Sequence, residues 1–561
     1  MSSLPASRRF DYIVVGGGSA GCALAARLSE DPSVRVLLLE AGPDRRHRYM
    51  PMPAAFYALL KEPSLMWGYS SAAEPHADDR TLPLQRGKVL GGTGAINGMT
   101  YARGDRQDYD DWVSTGATGW DYANVLPYFR RAESSWRGET PWHGGSGPLA
   151  VSRGEPVDDP FHPAMMQAAA QLGERINDDY CGPSLEGFAN VEFTIGGGRR
   201  ASTAERYLRP AMRRPNLTVE CNALASRILF SGRRAVGVAY RRDGAVSSVF
   251  AEREIVVAGG AYNSPQLLML SGIGPADELR ALAIDPVADL PGVGRNLQDH
   301  VVVAMMYRAL GDVTFNRFLR FDRAARAVLQ WKLFGTGAFA QIPLSCWAFR
   351  KTLPTLERPD VQFFFSPVSM DARLWFPGVR GPTSNIVTAR NALLRPKSRG
   401  VLRLQSRDPA APPQVVSNML ADAEDREALV RAIRQTRELF SMPSLRALVA
   451  DEVAPGPARS SDADLQAFLR QNARTACHPC GTCAIGIDSH AVVDPHLRVH
   501  GIEGLRIADA SVMPNVVSGN LNAPTIMVAE KAADLLLGRA LPPAVLAHDA
   551  EGKEPSRERV H

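Results

Sequence analysis

No run of eighteen consecutive apolar residues occurs in this chain, so no segment is expected to span a bilayer. An excess of one charge is missing too. Lys and Arg number 64 against 59 Asp and Glu, leaving +5 over 561 residues, which gives no case for nucleic acid or an anionic membrane as partner. Cysteine is sparse: seven residues, an odd number, at 22, 181, 221, 346, 477, 480 and 483. That count and scatter do not make a disulfide framework, and reduced thiols in a cytoplasmic setting are the expectation. The opening MSSLPASRRF has Arg8 and Arg9 but no apolar core of a signal peptide, and none is expected. There is no internal repeat.

The chain does have the apolar and charged content of a soluble globular protein, 45% and 22%. Its length suggests about three or four ordinary units, or fewer large ones. FDYIVV (10–15) reads as a buried strand running into three glycines. SAGCALAARLSED places Ala20, Ala23, Leu24, Ala26 and Leu28 at helical spacing, and VRVLLLE (34–40) is a second buried strand. Together they make a βαβ unit. NLTVECNALASRILF and RAVGVAYRR (216–230, 234–242) read as a strand meander. EREIVVAGGA (252–261) is a buried strand ending in glycines. NSPQLLMLSGIG (263–274) is a helix with Pro265 expected in its first turn. AEDREALVRAIRQTREL (423–439) is an amphipathic helix, GLRIADASVMP (504–514) a strand and turn, and PTIMVAEKAADLLLG (524–538) a closing helix. From Leu541 the chain is Pro-rich, then charged, and a loose tail is expected over 541–561.

Gly16-Gly17-Gly18-Ser19-Ala20-Gly21 is G-x-G-x-x-G, and its context makes it informative. It follows a strand, opens a helix, and an acid, Glu40, ends the next strand. Gly16 suits the tight turn, Gly18 admits a pyrophosphate, and Gly21 lets helix and strand pack closely. The helix start offers N–H groups and a positive dipole end to phosphates, Ser19 and Ala20 lying at that start. Glu40 would accept hydrogen bonds from ribose hydroxyls, with Ala41 beside it. NAD and FAD both fit this pattern.

Near the other end, TACHPCGTCAIG (475–486) groups Cys477, Cys480 and Cys483 around His478. A structural zinc site needs four ligands, usually as two separated pairs, and no second C-x-x-C separated from this stretch exists. A thioredoxin-like site sits between an early strand and a helix, and a c-type haem needs His where Ala484 stands. No metal is expected.

RGKVLGGTGAINGMTYARGDRQDYDDW (86–112), GAYNSPQLLMLSGIGP (260–275), PGVGRNLQDH (291–300), CHPCGTCAIG (477–486) and VSGNLNAPTIMVAEKAADLL (517–536) resemble the glucose–methanol–choline (GMC) family of FAD-dependent alcohol oxidoreductases, choline-dehydrogenase-like members included. The resemblance runs from about residue 10 to about residue 540. It implies an α/β (α+β mixed) fold. A Rossmann-like FAD-binding domain, discontinuous in sequence, would take residues 1–155, 195–310 and 475–540. A substrate-binding cap domain with an antiparallel sheet would take 156–194 and 311–474.

The same resemblance implies roles. Arg86, Gly87, Val89, Gly91, Gly92, Asn97, Gly98 and Met99 would form a loop over the flavin and its pyrophosphate. Trp67 would lie near the cofactor, Ala225 near the adenine, and Asp509 and Ala510 in a turn holding the ribityl–pyrophosphate region. Some members link FAD covalently to a His preceding that Asn; Ile96 stands here, so FAD is expected to be non-covalent. His478, in the pattern His-Pro-x-Gly-Thr-x-x-x-Gly, falls on the catalytic histidine, and the cysteines become small packing residues. Asn520 is its partner facing substrate, and Asn522 faces the cofactor. His478 would take the alcohol proton as general base, Asn520 would stabilise the alkoxide, and hydride would pass to flavin N5.

A primary alcohol is the expected substrate, and oxygen, a quinone or a dye-like acceptor would take the electrons. A non-redox or photochemical enzyme on the same scaffold, hydroxynitrile lyase-like or decarboxylase-like, is the alternative. A monomer or homodimer is expected. No acid placed to hold a quaternary ammonium is identifiable. The aromatic residues Phe334, Phe339, Trp347, Phe363, Phe364, Phe365, Trp375 and Phe376 would line an apolar pocket or fill the core.

Overall fold

A computed structural model of the chain describes residues 8–369 and 371–546. Two seven-stranded sheets dominate it. The first has the order Leu217–Glu220, Val36–Leu39, Arg9–Val15, Ala245–Val257, Arg234–Arg242, Leu224–Ser231, with Leu505–Ile507 also on Ala245–Val257. Strand 36–39 is buried throughout and strand 9–15 from Tyr12 onward, which is why these stretches read as unbroken apolar runs rather than alternations. Ala245–Val257 serves two arrangements. Its first half pairs antiparallel with Gly237–Arg242, and its second half pairs parallel with Arg9–Val15 and Leu505–Ile507. It starts seven residues earlier than its apolar run suggests, because 245–248 are exposed side chains on the meander.

The helix Ser19–Leu28 leaves the first strand and packs along the closing helix Asn522–Leu536. Gly21 makes the tight turn possible: a methyl group there would come 1.8 Å from the Gly16 carbonyl oxygen. The helix expected from Asn263 instead starts at Gly260, so Pro265 lies inside it. A proline cannot donate to the carbonyl four residues back. That carbonyl, of Ala261, accepts a hydrogen bond of 2.7 Å from the Thr482 hydroxyl instead, so the proline leaves no buried acceptor unpaired.

The second sheet is antiparallel: Val449–Ala454, Val301–Ala309, Ile386–Leu393, Val361–Ser366, Cys346–Arg350, Gly187–Ala189. Arg474–Thr475 adds a short strand beside Val301–Val302. Strand 301–309 thus pairs wholly within this sheet, just before the domain boundary expected at 310. One face, with Val303, Met305, Phe363 and Phe365, packs under the amphipathic helix Ala423–Phe440. The opposite face, with Trp347, Phe349 and Phe364, joins the core that also contains the first sheet. Of the aromatic residues considered above, Phe334 and Phe376 are neither core nor enclosed pocket; they are 72% and 38% exposed. Residues 541–546 lie against helix Tyr122–Ala132, with Leu541 N–H on the Tyr128 hydroxyl and Ala544 N–H on the Ala123 carbonyl. The remainder of the expected tail lies outside the described residues.

Candidate active site

Two helix N-termini meet at the dinucleotide turn. Ser19 Oγ lies 2.8 Å from Asn522 Oδ1, and each is the first residue of its helix. Their positive ends converge where Gly18 leaves open space: a methyl group at Gly18 would meet nothing within 4 Å. The loop carrying Gly87, Gly91 and Gly92 folds over this turn. Gly91 N–H donates to the Gly17 carbonyl at 2.7 Å. Gly92, at φ +53°, approaches so closely that a methyl group there would lie 2.8 Å from the Gly18 Cα. Glu40 is buried, and its two oxygens accept from the Gly17 and Gly42 N–H groups at 2.7 Å each. Burial raises its pKa to about 7 despite those bonds. The segment leading to Ala225 flanks Ala41: Asn222 N–H donates to Gly42 and Ala223 N–H to Glu40. Ala20 is buried in its helix.

Asn97, Gly98 and Met99 follow. Met99 takes a left-handed conformation, φ +56°, and its carbonyl accepts from Thr194. Gly98 lies against the Phe56 ring. Asn97 is held by Arg200, whose guanidinium donates to its backbone carbonyl at 2.7 Å and its side-chain oxygen at 2.8 Å. Arg200 is a buried cation whose pKa burial lowers to about 9, and its Nη2 has no partner among the described residues. Val89 points its side chain into a small core with Leu59, Leu65 and Ile96, so only its backbone faces the loop. Trp67 stacks on Tyr69 at 5.5 Å, with Lys88 over its ring. Asp509 is fully engaged: one oxygen accepts from Ser511 N–H, the other from Gly260 N–H and Ser264. The Ala510 carbonyl accepts from the Gly481 N–H. Converging helix ends, an open glycine turn and a buried guanidinium with a free nitrogen fit the anionic pyrophosphate and flavin of FAD.

The second sheet delivers His478. Residues 474–475 pair with Val301–Val302, and Cys480 pairs with Gln298. Between them Cys477 breaks the strand with φ +65° and turns His478 inward. Cys480 and Cys483 are buried thiols, raised by burial, and all seven cysteines are free. Arg86 donates to the Cys477 carbonyl and ties the glycine loop to this turn.

His478 sits in a hydrogen-bonded row. Its Nδ1 lies 3.0 Å from His300 Nδ1, and its Nε2 lies 3.0 Å from Asn520 Nδ2. His300 Nε2 lies 3.1 Å from the Val517 carbonyl. A carbonyl only accepts, so His300 carries its proton on Nε2. Burial lowers the His300 pKa to about 4, so the ring is neutral and Nδ1 is bare. His478 must therefore donate from its Nδ1–H. Burial, the His300 ring and Arg86 all push the His478 pKa well below the ordinary histidine range. Neutral and protonated on Nδ1, it presents a bare Nε2, to which the Asn520 amide donates. The Asn520 oxygen is buried without a partner. Asp299 accepts the His478 backbone N–H at 2.8 Å and fixes the turn.

Asn520 and Asn522 thus point to different places, one to the imidazole and one to the dinucleotide turn. His300, Asp299 and Arg200 were not singled out by sequence. The first two stand in PGVGRNLQDH, where an adjacent Asp-His pair was a visible signal; Arg200 follows a Gly triplet that reads as an ordinary turn.

A family model described as GMC oxidoreductase matches residues 10–302, and a second, for the C-terminal part of the same family, matches 396–529. An oxygen-dependent choline dehydrogenase of Brucella ovis is 42% identical over 531 residues, 94% of this chain and 96% of that protein. One of Burkholderia multivorans is 44% identical over 537 residues, 95% and 94% of the two chains. Among solved structures, pyridoxine 4-oxidase from Mesorbium loti superposes with TM-score 0.84 at 30% identity, covering 93% of this chain and 98% of that one. An Aspergillus oryzae formate oxidase variant superposes with TM-score 0.89 at 27% identity, over 95% and 99%. Family models over both parts of the chain and relatives matched over nearly their full length give one answer: the chain belongs to the GMC oxidoreductases.

Proposed function

We propose that the chain oxidises a primary alcohol to its aldehyde, with His478 as general base and Asn520 as its partner at the substrate oxygen. The observation that carries this is the row from Val517 through His300 and His478 to Asn520, which leaves Nε2 of His478 bare. A substrate hydroxyl placed between the two side chains donates to Nε2 and accepts from the amide. As its proton moves to Nε2, the amide N–H stabilises the growing alkoxide. His478 then carries a charge that its Nδ1–H shares with the His300 lone pair. Bound FAD supplies the acceptor for the C–H hydride. Arg200, Asn97, Met99 and the glycine loop would hold the ring, and Ser19, Asn522 and the two helix ends the pyrophosphate. Ile96 is a buried hydrocarbon without a nucleophile, which supports non-covalent binding.

The names of the curated relatives, oxygen-dependent choline dehydrogenases, support a primary alcohol and leave oxygen among the acceptors beside a quinone or a dye. No helix among the described residues is long and apolar enough to cross a membrane, and a cytoplasmic monomer or homodimer is our reading. Residues 1–155, 195–310 and 475–540 would bind the cofactor, with 156–194 and 311–474 over the substrate. Anaerobic mixing of the yellow holoprotein with a panel of alcohols tests the reaction: bleaching supports it, and a flavin that stays oxidised with every alcohol removes it.

A further inference from the structure

The face of the antiparallel sheet turned towards the site carries a cluster of hydrogen-bond donors with nothing to donate to. Phe364 is its centre. Trp347 lies directly opposite on one neighbouring strand and Arg390 on the other, while Gln362 and Ser366 are two residues away along the same strand. Trp347, Gln362 and Ser366 are all 2% exposed or less. Trp347 Nε1, Gln362 Nε2, Ser366 Oγ and Arg390 Nε are buried without a hydrogen-bond partner among the described residues. The Arg390 guanidinium rests 5.3 Å from the Phe364 ring centre. Four unmet donors around one ring are costly in a folded protein unless an acceptor completes them.

The four central strands, Val301–Ala309, Ile386–Leu393, Val361–Ser366 and Cys346–Arg350, contain no Asp or Glu. Two acids stand just before these strands: Asp299 is engaged with the His478 backbone N–H, and Asp360 with the Thr352 N–H and hydroxyl. Arg390 pairs across the sheet with Ala304, four residues from His300. At about 3.4 Å per residue this puts the cluster on the order of 13 Å along the strand from the base of the imidazole pair.

We propose that the substrate alcohol carries a carboxylate at its far end, bound by Arg390 within this cluster of unmet donors. This rests on the reading that His478 and Asn520 receive the hydroxyl. A carboxylate matches the set: it accepts several bonds, and a guanidinium holds it through charge-assisted ones. A quaternary ammonium meets a cation here, so choline is a poor substrate of this chain although its relatives carry that name.

The test uses purified holoenzyme and a homologous series of ω-hydroxy carboxylates, each beside its methyl ester, with choline as a further substrate and a dye as acceptor. The carboxylate is expected to exceed its ester in kcat/KM by about tenfold or more at the best length, since the ester leaves the charged donor unpaired. Arg390→Met raises KM for the carboxylate, leaves kcat and the ester alone, and Arg390→Lys restores part of the preference. Calorimetric binding of a hydroxyl-free alkanoate, lost in Arg390→Met, reads the site without turnover. Esters equal to acids at every length, choline as the best substrate, or alkanoate binding indifferent to Arg390 each overturn the proposal. A protein that binds alkanoates through Arg390 but oxidises no alcohol keeps this site and refutes the reaction. One that oxidises neutral alcohols with no preference for carboxylates does the reverse.

Discussion

Two buried histidine clusters in this molecule titrate in opposite directions, and the neighbours alone decide which way. His143 lies between two carboxylates, 3.0 Å from Glu133 and 3.1 Å from Asp179, with Arg103 on the same Glu133 oxygen at 2.6 Å. Its hydrogen bonds to Asp179 and Glu133 raise its pKa against the cost of burial, and Arg103 and His143 hold Glu133 down at about 2. That cluster is a closed set of paired charges. His478 and His300 have no carboxylate on their rings and meet a carbonyl and an amide instead, and burial keeps both neutral. Paired charges give a rigid, inert joint, whereas a neutral row ending in a bare nitrogen gives a place to put a proton.

The sharpest break in that contrast is His478→Ala. Losing the base should lower kcat by roughly 10²–10⁴-fold with FAD still bound, and near-native turnover in a yellow mutant would remove the assignment. His143→Ala, outside the row, should leave kcat unchanged. Second in size, Glu133→Gln strands Arg103 and His143 and should cost about 3–5 kcal/mol in denaturant unfolding, again with normal turnover in what folds. Smaller is the effect of His300. His300→Leu removes the acceptor that holds the proton on Nδ1 of His478, and kcat should fall by roughly tenfold to a hundredfold, as when a base loses its orienting partner. His300→Gln, whose side-chain oxygen can accept, should recover most of it; equal losses in both variants would mean His300 acts only by packing.

The smallest effect is on pH slopes, and it has opposite signs. His300 has a folded pKa lowered to about 4 from 6.5, so its contribution to stability is full above 6.5 and is lost as pH falls towards 4. His143 is raised, so its contribution is full below 6.5 and is lost as pH rises through its folded value. Subtracting the Tm of His300→Leu from wild type should give a difference that grows from pH 4 to 6.5. The same subtraction for His143→Phe should shrink above 6.5. Parallel curves for the two variants would show that their surroundings do not differ as drawn. In the same scan, the acid limb of kcat/KM should fall below the ordinary histidine range, because His478 is lowered.

The dinucleotide turn was fully legible in sequence because its physics is local. Strand, glycine turn and helix follow one another within some thirty residues, and Gly21 is required by an approach of 1.8 Å within its own turn. His478 and Asn520 were legible only through family resemblance, since 42 residues separate them and nothing in either local stretch predicts that they meet. Pro265 misled the placement of its helix start because the group that excuses it, Thr482, lies 221 residues from Ala261. Phe334 and Phe376 looked like core or pocket by residue type, but side-chain type does not say which flank of a helix or loop the rest of the protein covers.

The sequence by itself determined the cofactor turn, the parallel strands around it and the residue types able to move a proton. These depend on backbone freedom and periodicity, which neighbours in the chain dictate. Only the tertiary structure decided which nitrogen of His478 is bare, through a carbonyl at Val517 and a ring at His300 brought in from other segments. It also decided that Arg390 stands in a cluster with three other unpaired donors. Protonation and charge pairing act through space over a few ångströms, and those neighbours are set by how the sheets are assembled, not by order along the chain.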